Sequence, residues 1–136
     1  MGWIGILTTR LEVLYEEEFR ALNAEFKQIA TDWQMRRLPG GRYILKDHTD
    51  LDYEFEVLDR LSALNERLDS IKSEILTILP ECRRYFDKLQ KAMEKIDGGD
   101  YRFFTSPDVD SYHNVWFEMH DYMLKKMGRA RREDEV

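Results

Sequence analysis

His113 and His120, seven residues apart with Asp121 directly after the second, are the side chains of this 136-residue chain best suited by type to hold a metal ion. A spacing of seven places both imidazoles on one side of a helix, two turns apart. Helices that bind metals set their ligands three or four residues apart, because ~5–6 Å between neighbours lets two side chains converge on one ion. Two turns is too far without ligands from another helix, so positions flanking a core account for the pair and no metal is expected. Carboxylates one turn apart, which can flank a hard cation, occur as Glu-x-x-Asp at Glu56/Asp59, Glu66/Asp69 and Glu94/Asp97. In a chain that is 35% charged such pairs also arise by chance and form a solvated face. Lys125, Lys126, Arg129, Arg131 and Arg132 form a basic run suited to nucleic acid, which Arg36, Arg37 and Arg42 could extend; such binding weakens steeply with salt. Lysines at a helix C-terminus are equally what the helix dipole favours, and Glu133, Asp134 and Glu135 follow at once. Cys82 has no His or Asp partner in sequence and reads as a small buried apolar group.

These residues carry two partial resemblances. His120-Asp121 resembles the paired core of the HD phosphohydrolases, all-helical metal enzymes. That pattern also needs an upstream His, which His48 or His113 would have to supply, and a downstream Asp, here Asp134. The Glu-x-x-Asp pairs resemble the magnesium ligands of helical nucleotide pyrophosphatases, whose preceding helix carries a Glu-x-x-Glu pair that this sequence lacks. Neither covers enough of the chain to name a family, and no cofactor is expected.

The elements that must carry these residues follow from apolar spacing. From Ile4 to Leu38 apolar residues recur at three and four, Leu11, Leu14/Tyr15, Phe19, Leu22, Phe26, Ile29 and Trp33, the stripe of one helix. Pro39-Gly40-Gly41 stops it. Residues 41–49, GRYILKDHT, are too short and isolated for a sheet and read as an extended linker, with Thr49 or Asp50 as the next N-cap. From Val57 two rows repeat every seven residues: Leu61, Leu68, Ile75, Cys82, Leu89, Ile96 and Val57, Leu64, Ile71, Ile78, Tyr85, Ala92. Leu79, Phe86 and Met93 flank them, as in a heptad repeat. The phase runs through Pro80 without a slip, so the spacing predicts one long helix over 51–97, bent or interrupted at Pro80. Gly98-Gly99 ends it, and Ser106-Pro107-Asp108 starts a last helix over 107–127. Tyr101, Phe103 and Phe104 lie between, expected to tuck under the bend.

The fold expected is therefore all-α: an elongated antiparallel helical bundle with coiled-coil-like packing and three main helices. Residues 1–128 form one domain and 129–136 a frayed charged tail. Short turns would give much of the middle helix a single intramolecular neighbour, while its apolar face is three positions wide. Leu61, Leu64, Leu68, Ile71, Ile75, Ile78, Leu79 and Phe86 are accordingly expected to meet a partner, most simply a second copy or another helical protein. The functional expectation is a non-enzymatic interaction module such as an accessory subunit, regulator, adaptor or inhibitor. The alternatives are a metal-dependent nucleotide phosphohydrolase and a nucleic-acid-binding protein using the basic end. The net charge of −6 argues against broad nucleic-acid binding. The single cysteine excludes an internal disulfide framework. No apolar run is long enough for a membrane span and no secretory signal is recognised, so a cytoplasmic location is expected.

Overall fold

The computed structural model describes residues 3–37, 39–46 and 48–129. The apolar stripe of the first segment folds into α1 (Trp3–Leu14), a five-residue π turn (Tyr15–Phe19) and α2 (Arg20–Gln34). Backbone angles at Leu14 and Arg20 stay helical, and the Arg20 N–H reaches back to the Tyr15 carbonyl, so the three pieces make one continuous rod. The helix ends at Gln34, earlier than the expected Leu38, because the next residues pair as a sheet.

The reading of 41–49 as an unpaired linker is overturned there. Met35–Arg37 (β1) and Tyr43–Leu45 (β2) form an antiparallel hairpin in the register Met35↔Leu45, Arg36↔Ile44, Arg37↔Tyr43. Gly40 and Gly41 turn it with φ of 91° and 87°, a conformation that side chains disfavour and glycine adopts freely. The helix α3 (Leu51–Ile78) begins at Asp50, whose carboxylate accepts the Tyr53 N–H at 3.2 Å. It runs antiparallel to α2: Arg60 binds Asp32 at 2.8 Å, and seven residues on, Arg67 pairs with Glu25, seven residues back.

Pro80 breaks the long helix and reverses it. Leu79 leaves helical space at φ −129°, ψ 79°, Pro80–Cys82 form a 3-10 turn, and α4 (Arg83–Asp97) follows. Asn65, Asp69 and Lys72 of α3 line one cleft with Phe86 and Gln90 of α4. Lys72 Nζ stands 5.5 Å above the Phe86 ring; along one straight helix they would be about 21 Å apart at ~1.5 Å per residue. The expected long helix over 51–97 is therefore interrupted at Pro80, and its two halves fold back on each other instead of running on in one direction. One residue forced out of helical space by the following proline is enough to fold the chain back. The heptad phase survives because each arm faces the same core and the 3-10 turn keeps near-helical spacing between them.

A Schellman cap closes α4, with the Gly99 N–H on Ile96 and the Asp100 N–H on Lys95. After the short α5 (Arg102–Thr105), α6 (Tyr112–Lys126) starts at Ser111, which caps Asn114 N, rather than at the expected Ser106-Pro107. It descends beside α4, with Tyr122 donating to Glu81 at 2.5 Å and Lys88 lying 3.7 Å from Asp110. On its other side it meets α1–α2: Trp116 Nε1 donates to Asn23 at 2.9 Å. The molecule is all-α apart from the hairpin, with four antiparallel segments (α1–α2, α3, α4, α6) in up-down-up-down order, not three main helices.

Closure changes the fate of the heptad face. Leu61, Leu64, Leu68, Ile71, Ile75, Ile78, Leu79 and Phe86 are all buried within one chain. The uncovered width that called for a second chain at these residues does not exist, because α4 folds back and brings α6 with it. No helix among the described residues is long and apolar enough to cross a membrane.

Candidate functional site

The ends of α2, α4 and the hairpin meet the start of α3 around Trp33, which is buried. Its ring stacks on Phe104 at 4.7 Å, meets Tyr101 edge-on at 5.4 Å and packs on His48 at 4.9 Å. The Lys46 N–H extends the hairpin ladder onto the Gln34 carbonyl at 3.0 Å. That bond sends the Lys46 side chain inward. Its ammonium lies 4.7 Å over Trp33 and 4.6 Å over Tyr53 and pairs with one carboxylate oxygen of Glu54. The other Glu54 oxygen meets His48 Nδ1. The side chains of Lys46 and Glu54 are only 5% and 7% exposed, so this is a desolvated pair, whereas the imidazole is half-exposed. His48 adopts φ 60°, left-handed space that costs a non-glycine residue of order 1–3 kcal/mol and persists only where the surroundings hold it. Here Trp33 and Glu54 hold it.

These groups border a cleft of ≈ 210 Å³ together with Ile44, Leu45, Asp50 and Tyr53. A carboxylate that orients an imidazole is half of a base relay, but the relay needs a nucleophile on the second nitrogen, and none of the described contacts of His48 supplies one. The ammonium is already neutralised by Glu54. What the cluster accomplishes is mechanical: it clamps the hairpin onto the first turn of α3.

The clamp holds up an apolar surface. Leu45 is 79% exposed and Leu51 62%, and Ile44, Phe55 and Tyr101 are also well exposed. These five, among seven large apolar side chains exposed in the described residues, gather at the hairpin end; Ile6 and Val13 lie on α1. Leu51 and Phe55 share one face of α3, four residues apart. Within the ladder, the Lys46–Gln34 bond implies by alternation that the Tyr43 and Leu45 backbone groups point away from β1. They form an open sheet edge.

The residues singled out from the sequence are dispersed. His120 is buried inside the bundle, hydrogen-bonded through Nε2 to Tyr15 Oη at 2.6 Å and stacked on its ring at 5.7 Å. His113 packs edge-on against Phe117 at 4.5 Å. Asp121 is exposed. The three do not converge, and among the described residues no group of three or more His, Cys, Asp and Glu could hold a metal ion. The Glu-x-x-Asp pairs are all exposed. In the basic run, Lys125 and Lys126 are exposed at the end of α6, while Arg129 is committed to Glu16 at 2.7 Å and lies 5.8 Å over Tyr15. Arg131 and Arg132 lie outside the described residues. Arg36, Arg37 and Arg42 belong to the hairpin at the opposite end of the bundle, so they do not extend that run. Burial pushes the Cys82 thiol up to about 12, which leaves it an inert core group. Of the aromatic cluster, Phe104 is buried under Trp33 as expected, whereas Tyr101 faces out.

The sequence reading did not single out the hairpin end. The signal available was Ile44-Leu45 followed by Leu51 and Phe55, apolar residues outside the periodic stripes, on both sides of a Gly-Gly turn and a helix start. Comparison with known proteins returned no matching family, no similar curated protein and no similar solved structure.

Proposed function

We propose that the chain is a non-catalytic helical interaction module that engages another protein through the hairpin end of its bundle. The observation that carries this reading is the gathering of five exposed apolar side chains there, beside an open strand edge and on a buried ionic clamp. Large apolar side chains exposed at one end of a molecule mark a contact site, and a strand edge with outward backbone groups is a ready template for a strand from another chain. The partner is either a second copy of this chain or a different helical protein. The metal-dependent phosphohydrolase reading gains no support from the dispersed histidines, nor the nucleic-acid reading from a basic run whose Arg129 is already paired.

The test is a photo-crosslinking residue placed in turn at Leu45, Phe55 and Gln28, the last an exposed control on α2. The reading expects a discrete protein adduct from Leu45 and Phe55 and none from Gln28. Light scattering of the parent separates self-association from capture of a different protein. Adducts no more abundant at Leu45 and Phe55 than at Gln28 would reject the reading.

A further inference from the structure

On α4, Arg84, Lys88, Lys91 and Lys95 follow one another at spacings of four, three and four, which aligns them along one exposed ridge. The ridge spans about 16 Å at ~1.5 Å per residue. Four aligned cations stand out in a chain whose net charge is −6. The fold makes little use of them. Lys88 stands 3.7 Å from Asp110 with both groups well exposed. Lys95 lies 5.8 Å over the Phe103 ring, and Arg84 rests on Tyr85 and Tyr122 and donates to Tyr85 Oη at 2.8 Å. Lys91 forms no ion pair among the described residues. Beside the ridge, Lys88, Lys91, Lys95, Phe103 and Asp110 enclose an open cleft of ≈ 300 Å³.

We infer that this ridge is a second docking surface, which takes an acidic amphipathic helix of a partner protein; the inference rests on the reading of the chain as an interaction module. A helix carrying carboxylates at the same four-three-four spacing matches the ridge in register, because both rise by the same step per residue. The border selects a peptide over a nucleic acid. Asp87 and Glu94 flank the ridge on α4 and Asp110 stands across the cleft, so a uniformly negative phosphodiester strand meets repulsion on both sides. A protein helix can answer those acids with its own basic residues. The aromatic faces that bases would stack on are already covered, Phe103 by Lys95 and Tyr122 by Arg84 and Lys126. The cleft beside Phe103 can accept one apolar side chain of the incoming helix.

The probe is a fluorescent synthetic helical peptide with Glu at positions i, i+4, i+7 and i+11, measured by anisotropy against the full chain. A peptide of the same composition with those Glu residues spread around the helix, and a 20-nucleotide DNA duplex, serve as comparators. The expected result is binding of the in-register peptide at least tenfold tighter than either comparator, weakening with salt. Lys88→Glu/Lys91→Glu should weaken it a further tenfold or more. Lys88→Gln/Lys91→Gln, which leaves the surface fold undisturbed, should give an intermediate loss, with circular dichroism confirming that both variants are folded. Equal binding of the scrambled peptide, tighter binding of DNA, or indifference to both pairs of substitutions would overturn the inference. Leu45→Glu/Phe55→Glu should leave peptide binding unchanged, so failure here and failure of the hairpin-end reading are separately visible.

Discussion

Substituting Glu54 by Gln keeps the shape of the side chain and removes the charge that holds the hairpin. Lys46 is then left as a buried ammonium with no counter-ion. Removing one partner of a buried ion pair costs about 3–5 kcal/mol. The Trp33 and Tyr53 rings, at 4.7 and 4.6 Å, still attract the cation, which offsets about 0.5–2 kcal/mol. The expected net loss is about 1–4.5 kcal/mol, and it should fall on the hairpin before the bundle, because the hairpin joins α3 through this pair while the core behind it is closed. The assay is native-state hydrogen exchange of the Lys46 amide, which is bonded to Gln34. Its protection should drop about 5- to 1,600-fold, at a tenfold change per ~1.4 kcal/mol. Amides in the middle of α3 should change far less, since the local opening leaves the core closed. Adding Lys46→Met removes the stranded charge and places a polarizable chain between the two rings, and should return the protection to within about tenfold of the parent. Glu54→Gln with unchanged protection, or a double variant as labile as the single, would refute the reasoning.

Asn23→Ala strands the buried Trp116 N–H and should lower stability by about 1–3 kcal/mol in urea denaturation, while Asn23→Ala with Trp116→Phe recovers part of that loss. Pro80→Ala should cost only about 0.4–1 kcal/mol, through the freer unfolded chain, because the apolar residues buried on both arms also hold the reversal; urea denaturation reads the cost. The Cys82 thiol should resist alkylation at pH 8 in the folded protein and react fully in denaturant. Its folded value lies above its unfolded one, so the folded state holds the proton longer. That contribution is complete below about pH 9 and is lost as pH rises toward 12, and Cys82→Ala should flatten the decline of stability between pH 9 and 11.

The helical stripes were legible because burial imposes their spacing: Phe19, Leu22, Phe26, Ile29 and Trp33 appear in sequence as they pack in the core. The caps at Asp50 and Gly99 were legible because few residue types can serve there. The direction change at Pro80 was not, since two antiparallel arms facing one core carry the same seven-residue phase as one rod. What distinguishes them is a single torsion at Leu79. The hairpin escaped because three-residue strands carry no measurable alternation, and the contacts that hold it, Lys46 and His48 against Trp33 and Glu54, are made by the helices on either side of it. For the same reason the sequence drew attention to the heptad face, which the structure buries within the chain. A face too wide for one neighbour looked uncovered until the chain was seen to supply three.

The distance between α3 and α4 tests the central claim, that the chain doubles back at Leu79–Pro80 and covers its own apolar face. Spin labels at Asp69→Cys and Gln90→Cys, in a Cys82→Ala background, bracket one cleft. Lys72 Nζ over the Phe86 ring shows that side chains of the two helices meet across this cleft, so electron–electron resonance should give a distribution at about 10–20 Å. A distribution centred near ~32 Å, the separation of 21 residues along an unbroken helix, would contradict the closed bundle and return the heptad face to solvent or to a partner.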